Sequence, residues 1–148
     1  MSEFTIRIEG ADVLIAALDP ANLEAAVDRA GMASVIYLEG VVKQEITRFT
    51  KTSRLRSSIH HRKVGYRRWM VGTDVVYAVP VEEGSAPHVI RPRNRKALRF
   101  QMGGRTVFAR SVNHPGFRGH HYMRLSVDRS REAIGQIFRR EIERSLGR

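Results

Sequence analysis

The sequence predicts an α+β fold: a twisted antiparallel β-sheet with a long N-terminal helix packed on it, a β-hairpin extension and a C-terminal helix. Two stretches of apolar and small residues at helical spacing, residues 23–49 and 123–146, flank a series of short β-rich segments separated by turn residues. The 148 residues match the size of one domain, so we expect a single domain over residues 1–148.

The N-terminal segment predicts a short strand followed by the start of the long helix. The strand signal is an alternation of apolar and polar residues, with Phe4, Ile6 and Ile8 as its apolar members. Residues 12–18 have the length of two helical turns. Asp19 followed by Pro20 is typical of a helix N-cap and first helical position, where the missing proline N–H is harmless. We therefore expect the long helix to begin at Pro20.

The long helix is predicted by a repeat of apolar or small positions at steps of three to five residues. Its members are Leu23, Val27, Ala30, Ser34, Tyr37 or Leu38, Val41, Ile46 and Phe49. Gly31 and Gly40 each weaken the helix by about 1 kcal/mol relative to alanine unless a close neighbour needs the space. The hydroxyl-rich residues 50–53 predict a break after it.

The central region predicts short antiparallel strands. Residues 54–59 are expected to form a short turn entering a strand, and further strand segments are Trp69–Gly72, Val89–Ile90, Ala97–Met102 and Thr106–Val112. Asn94 and the pair Gly103–Gly104 mark turns between them. Proline and two glycines within residues 113–119 predict a loop, after which helical spacing returns in a basic amphipathic helix.

Charge and composition restrict the classes of function. The chain has a net charge of +11, with −5 over residues 1–47 and +16 over residues 48–148, and 22 of its 26 basic residues are arginine. Arginine suits phosphates and carboxylates, which predicts contact with DNA or an acidic protein surface, although a GC-rich genome explains the arginine excess equally well. The absence of cysteine excludes disulfides, thiolate zinc sites and cysteine nucleophiles. Neither an apolar run of membrane-spanning length nor a signal peptide is present, so we expect synthesis in the cytosol.

Two possible catalytic arrangements are weaker than their structural alternatives. The histidines, at positions 60, 61, 88, 114, 120 and 121, are metal ligands by type, but only three acidic residues lie between residues 48 and 124. Glu82-Glu83-Gly84 resembles a general base beside a flexible loop, but no nucleophile stands at a recognisable spacing. We expect neither an enzyme nor a cofactor or metal site.

A basic cluster is the best functional candidate in the sequence. Five cations without an acidic residue among them fall in nine positions around a predicted hairpin turn: Arg91, Arg93, Arg95, Lys96 and Arg99. The alternative is a turn that is merely solvated. A second candidate surface is the predicted loop, with His114, Arg118, His120 and His121 at a possible interface.

Three segments together resemble the tail-component family of siphoviruses, the small neck or tail-completion proteins of long-tailed bacteriophages. The first is Thr52-Ser53-Arg54-Leu55-Arg56-Ser57-Ser58-Ile59, in which Ser53 stands where the family usually has glycine. The second is Val71-Gly72-Thr73-Asp74-Val75-Val76-Tyr77-Ala78 followed by Val81-Glu82-Glu83-Gly84-Ser85. The third runs from His88-Val89-Ile90-Arg91-Pro92 through Ala97-Leu98-Arg99-Phe100 to Val112-Asn113-His114-Pro115-Gly116. His121-Tyr122-Met123 departs from the family's usual proline-phenylalanine-leucine.

The resemblance implies a structural virion protein without catalytic activity, assembled in the host cytoplasm. It implies a homo-oligomeric ring, expected to be a hexamer, at the head–tail junction, where DNA passes through it. The implied partners are a head-closure or connector protein and tail-tube or terminator proteins, with no membrane. The motif residues with structural roles are Leu55, Arg56, Ile59, Gly72, Tyr77, Glu83 and Gly84; we expect Leu55 and Tyr77 in the core and Gly72 and Gly84 in turns. The alternative is a basic module that binds nucleic acid non-specifically.

Overall fold

The computed structural model describes residues 3–7, 20–50 and 53–145. The elements before the C-terminal half are β1 (Glu3–Arg7), α1 (Pro20–Thr47), α2 (Ser53–Ser58), β2 (His60–Gly65), β3 (Arg68–Gly72) and α3 (Ala78–Glu83). They are followed by β4 (Gly84–Ser85), β5 (His88–Ile90), β6 (Leu98–Met102), β7 (Arg105–Ala109), β8 (Val112–His114), β9 (Phe117–Arg118) and α4 (Tyr122–Ser145). The predicted α+β class, with both long helices, is confirmed.

The main sheet has three antiparallel strands in the order β1-β3-β2. Phe4 pairs with Val71 on one side of β3, and His61 pairs with Val71 on the other. β3 is the most buried described strand of this sheet, because Trp69, Met70 and Val71 all lie in the interior. The N-terminal strand and the strand at Trp69–Gly72 are confirmed, whereas Ile8 lies outside the described residues.

Helix α1 begins at Pro20, as the sequence predicts, and packs on this sheet. Its buried stripe includes the predicted Leu23, Val27, Ala30 and Ser34 and continues through Leu38, Val42 and Ile46. Of the alternatives Tyr37 or Leu38 the core contains Leu38, and one predicted member, Val41, is wrong. The side chain of Tyr37 is turned out of the core and is 41% exposed, and the buried valine is Val42 rather than Val41. Each step of four residues turns only about 40° around the helix axis, so Leu38, Val42 and Ile46 continue the stripe from Ser34 while Tyr37 and Val41 lie beside it.

Helix α4 packs against α1 and runs antiparallel to it. Arg29 near the start of α1 reaches Glu141 near the end of α4, with 3.5 Å between Nε and Oε2, and Glu45 near the end of α1 pairs with Arg129. Small buried residues line the contact: Ala26, Ala30, Ser34, Ser126 and Ser130. Such residues let two helix backbones approach closely, so α1 makes the main contacts with both the sheet and α4.

The short segment before β2 folds as helix α2 rather than as the predicted turn. Leu55 and Ile59 point into the core, as expected for Leu55, while Arg56 is exposed. The Ser58 hydroxyl links this segment to β3's end through Thr73 Oγ1, 2.6 Å away. The proposed helical turns at residues 12–18 and the N-cap residue Asp19 lie outside the described residues.

The indole of Trp69 explains the glycine in the middle of α1. A Cβ atom placed on Gly31 would lie 2.3 Å from Cζ2 of Trp69, far inside van der Waals contact. Gly31 therefore gives the ring its space, which is the condition under which glycine is worth its cost in a helix. Gly40, in contrast, has no atom within 4 Å of such a Cβ.

A small polar network joins α1 to β2. The carboxylate of Glu39 is hydrogen-bonded to Lys43 on the same helix and to Nδ1 of His61 on β2. Burial by itself raises the pKa of Glu39, but the hydrogen bonds and charges of Lys43 and His61 outweigh it, so the pKa lies below its ordinary value of 4.5.

We predict opposite effects for alanine at the two glycines of α1. Gly31→Ala pushes a methyl group into the Trp69 ring and should lower the free energy of unfolding by about 1–3 kcal/mol. Gly40→Ala meets no neighbour and should raise it by up to about 1 kcal/mol. Urea denaturation measures both, and near-ultraviolet circular dichroism of the single tryptophan reports the local disturbance. Equal melting behaviour of the two variants would mean that the ring does not rest on Gly31.

We predict that Glu39 stabilises the protein in a pH-dependent way. Its folded-state pKa is depressed, so its contribution is fully present above the ordinary value of 4.5 and is lost as pH falls through the folded-state value. Glu39→Gln should therefore cost about 1 kcal/mol at pH 7 and progressively less between pH 4.5 and pH 3. Glu24→Gln, an exposed change on the same helix, is the control. A Glu39→Gln deficit of equal size at pH 7 and pH 3 would contradict this linkage.

Candidate assembly surface

Residues 84–119 form a long two-stranded arm that leaves the body between α3 and α4. Three antiparallel pairings follow one another outward from the body: β4 with β9, β5 with β8, and β6 with β7. Because each pairing encloses the next along the chain, the whole segment folds back on itself as one ribbon. The predicted hairpin extension is thus longer than its sequence signals indicated.

The tip of the arm is the tight turn at Gly103–Gly104. Met102 pairs with Arg105 across it, and the two glycines have φ values of +57° and +75°. Positive φ at both central positions is the requirement of the hairpin turn that matches strand twist, and glycine meets it without steric cost. The sequence prediction of a turn at this pair is confirmed.

The basic cluster lies beside the ribbon and not at a hairpin turn, which corrects the sequence interpretation. Seven residues, 91–97, separate β5 from β6, whereas only Arg110 and Ser111 separate β7 from β8 on the opposite strand. The longer connection projects from the ribbon, and we call residues 91–97 the bulge. It carries Arg91, Arg93, Arg95 and Lys96, all exposed, while Arg99 lies in β6. Residues 88–93 line an open groove of about 720 Å³ at this point.

The arm has no buried residue between Gly84 and His120. Among its apolar side chains, Met102 is 66% and Phe108 is 67% exposed. In the described part of the chain, neither β6 nor β7 makes more than sparse contact with any element except its partner strand. An isolated two-stranded ribbon is marginally stable in water, so this part of the arm lacks the packing that stabilises a sheet.

The two faces of the outer arm differ in chemistry. Alternation along the strands puts half-buried apolar residues on one face: Leu98, Phe100, Val107 and Ala109. The opposite face carries exposed Arg99, Gln101, Thr106 and Phe108, and the Gln101 amide donates to Thr106 Oγ1 at 3.3 Å. By the same register Met102 and Arg105 share the apolar face. The outer arm therefore offers one mainly apolar and one mainly polar surface, with one arginine on each.

The base of the arm is fixed by the carboxylate of Glu82. This buried side chain accepts hydrogen bonds from the backbone N–H groups of Met123 and Arg124 at 2.9 and 3.1 Å. Both groups belong to the first turn of α4, where backbone N–H groups have no partner within the helix and the helix dipole favours negative charge. The functional carboxylate of this motif is therefore Glu82, and not Glu83, which is exposed.

Close backbone approach at the base requires glycine. Gly84 has a φ of +91°, and a Cβ on it would lie 2.6 Å from the backbone nitrogen of Gly119. A Cβ on Gly119 would in turn lie 2.1 Å from the carbonyl oxygen of Glu82. The structural role expected for Gly84 agrees with this geometry. Gly72 differs from expectation, because it is the last residue of β3, paired with Glu3 and His60, rather than part of a turn.

Tyr77 is not in the core, which corrects a second expectation. It precedes α3, is 39% exposed, and lines a concavity of about 250 Å³ with Leu55, Val81 and Phe117 among its neighbours. The buried tyrosine is Tyr122, at the start of α4. Burial, reinforced by the nearby Glu82 carboxylate and by Tyr77, raises the pKa of the Tyr122 phenol well above its ordinary value. Tyr122 is therefore neutral at physiological pH.

The predicted loop at residues 113–119 is mostly strand. Asn113 and His114 complete β8 and Phe117–Arg118 forms β9, so only two residues interrupt the ladder. Pro115 falls in this gap, where its missing N–H leaves no ladder hydrogen bond unmade.

The histidines of the region have structural neighbours. The rings of His114 and His88 stack across the arm with centroids 5.0 Å apart, and His114 Nδ1 accepts the Gly116 N–H at 3.1 Å. His120 stacks on Phe49 at 4.0 Å, and the His121 N–H donates to the Glu82 carbonyl at 3.1 Å. Arg118 is exposed near the base of the arm. Of the candidate interface residues, Arg118, His120 and His121 therefore lie at the base of the arm, and His114 lies one strand pairing further out.

The described ranges contain no cluster of three or more histidine and acidic side chains that could hold a metal ion. They also contain no helix that combines the length and the apolar character needed to cross a bilayer. Comparison with protein-family models, with curated proteins and with solved structures finds no significant match for this chain.

Sequence reasoning missed Glu82 as the residue that fixes the arm's base, and Tyr122 as the buried tyrosine. Two positions in the sequence could have indicated these roles. An acidic residue stands just before the arm, and His121-Tyr122 stands at the start of the last apolar stripe. Nothing local distinguishes Glu82 from Glu83, because the partners of Glu82 lie 41 and 42 residues further along the chain.

We predict that Glu82 is essential for stability and Glu83 is not. Glu82→Ala leaves the N–H groups of Met123 and Arg124 without their acceptor and should lower the free energy of unfolding by about 2–4 kcal/mol. Glu82→Gln keeps the shape and an amide oxygen, so its loss should be smaller. The matched control Glu83→Ala should change stability by less than about 0.5 kcal/mol. Urea denaturation measures the free energy of unfolding of each variant. Similar losses for Glu82→Ala and Glu83→Ala would show that Glu82 does not cap α4.

Proposed function

We propose that this chain is a structural virion protein of a long-tailed bacteriophage that forms a ring at the head–tail junction, the neck or tail-completion position, through which DNA passes. It acts by assembly rather than by catalysis. The proposal combines the resemblance of the three sequence segments to the tail-component family with one structural observation, the arm without a buried residue. The protein is made in the host cytoplasm and incorporated into the particle.

The arm carries the proposal because its apolar face lacks cover. A protein that works alone gains nothing from a ribbon that leaves Leu98, Phe100 and Val107 only half-buried and Met102 largely in solvent. In a ring, each copy presents one surface to a different surface of the next copy, and an extended arm reaches such a neighbour. The head-closure or connector protein and the tail-tube or terminator protein are the proposed partners above and below the ring.

A second candidate is a basic module that binds nucleic acid outside any particle. The exposed cations of the bulge favour it, because arginine contacts with phosphates give affinity without sequence preference. The two candidates differ in location. Mass spectrometry of purified particles should detect the chain at a few copies per virion under the first proposal, whereas under the second it should be found with host or phage DNA and be absent from particles.

We predict that neutralising the bulge prevents the joining of heads and tails. Replacing Arg91, Arg93, Arg95 and Lys96 together by serine should leave the fold intact, because exposed changes cost less than about 0.5 kcal/mol each. In complementation of a phage that lacks the gene, electron microscopy should then show filled heads and separate tails with few joined particles. The thermal melting curve of the purified variant is the control for folding.

Two results would count against this prediction. Wild-type titres with the quadruple variant would show that the bulge is only a solvated segment. Joined particles in the complete absence of the chain would remove the proposed neck function itself.

A further inference from the structure

The arm has one sign of charge over its whole length. Between Gly84 and Gly119 the sequence has eight basic residues and no acidic residue, and the next acidic residue along the chain is Asp128. All eight are exposed: Arg91, Arg93, Arg95, Lys96, Arg99, Arg105, Arg110 and Arg118. None of them forms an ion pair with a residue of the described ranges.

Several cations of the described body form ion pairs with acidic side chains. Glu45 forms ion pairs with Arg48 and Arg129. Glu141 forms them with Arg29 and Arg144, and Asp28 forms one with Lys63. Because no acidic side chain of the arm offsets its cations, a partner that binds the arm is expected to carry the opposite charge. Screening over about 8 Å at physiological ionic strength lets this field extend beyond the arm's surface.

We infer that the bulge and the exposed arginines of the arm bind double-stranded nucleic acid through its phosphate backbone. This inference rests on the proposed function, in which DNA passes through the ring. A two-stranded β-ribbon is one of the two protein elements that the major groove, about 12 Å wide, admits. Five-residue strands such as β6 and β7 are about 17 Å long, enough to follow the groove across several base pairs.

The absence of acidic residues favours a polyphosphate over an acidic protein. Duplex DNA carries one negative charge for about every 1.7 Å of its axis, so a carboxylate anywhere on a contacting ribbon is repelled. Protein surfaces offer carboxylates at separate points, which leaves room for mixed charge on the complementary side. Seven of the eight cations are arginine, whose planar guanidinium binds phosphate oxygens through two parallel hydrogen bonds. The binding is therefore salt-dependent and blind to sequence.

The test uses the full chain and matched charge changes at two places. One variant carries Arg91→Gln, Arg93→Gln and Arg95→Gln in the bulge. The control carries Arg131→Gln, Arg139→Gln and Arg140→Gln on the exposed side of α4, where glutamine is a good helix former. Both lose three charges, and thermal melting verifies that both fold. Fluorescence anisotropy then measures affinity for 20-base-pair duplexes of two unrelated sequences between 50 and 200 mM salt.

The bulge variant should bind duplex DNA at least about tenfold more weakly than wild type at 100 mM salt. Its plot of log affinity against log salt should be shallower by about two to three, as expected for the loss of three phosphate contacts. The control should change less than about threefold, and the two duplex sequences should bind alike.

Three outcomes would overturn the inference. Equal losses of duplex affinity in the two variants would mean that binding depends only on net charge. Equal affinity for single-stranded and duplex DNA would mean that the arm does not bind in the groove of a duplex. Binding of polyglutamate as tight as binding of duplex would identify an acidic protein surface as the partner. The ring proposal is tested separately, by the composition of purified particles and by head–tail joining. A failure of DNA binding would therefore contradict this inference without contradicting the ring proposal.

Discussion

The cap that Glu82 forms on helix α4 is the interaction on which the rest of the structure depends. Its carboxylate lies at the end of α3, immediately before the chain enters the arm, and its partners begin the helix immediately after the chain returns. One buried carboxylate thus closes a loop of about 40 residues and sets the direction of α4. Because α4 packs along α1, the cap also fixes the position of the arm relative to the body.

This arrangement divides the protein into a well-packed body and an arm that depends on backbone pairing. Glycine at positions 84 and 119 lets the two strands leave the body side by side, and the His120 ring on Phe49 holds their base against the end of α1. Between Ser85 and Gly116, toward the tip, the ribbon does not pack on the hydrophobic core. Local opening of the outer arm is therefore energetically cheap compared with unfolding of the body, which suits a segment that becomes ordered against a partner.

The parts of the fold that sequence reasoning predicts are those encoded by neighbouring residues. Proline at position 20 begins α1, the Gly103–Gly104 pair makes the tip turn, and Leu55 is buried. The parts it missed depend on distant partners. Glu82 and Glu83 are chemically identical, and only the N–H groups of α4 decide which of them is buried.

The arm shows the same limitation. The cations at 91–96 lie in a bulge because β8 pairs with β5 after a two-residue gap, and that gap is more than ten residues away in sequence. Similarly, the apolar environment that buries a tyrosine is supplied at position 122 and not at position 77. A local pattern carries no information about either choice, since both depend on which segments meet in space.

A GC-rich genome would explain how many arginines the chain has, but not where its carboxylates are. In the body several acidic side chains lie beside basic ones, as Glu39, Glu45 and Glu141 do, although residues 46–73 also have eight basic residues and no acidic one. In the arm every acidic residue is missing while the basic ones stay exposed. Self-repulsion among these cations weakens a ribbon that is already marginal, so the free arm is less stable than a neutral one would be. A partner of opposite charge removes that repulsion and supplies the missing contacts at once. Under the proposed function, arm ordering and partner binding are therefore coupled, and the same charges that weaken the isolated arm would favour its bound form.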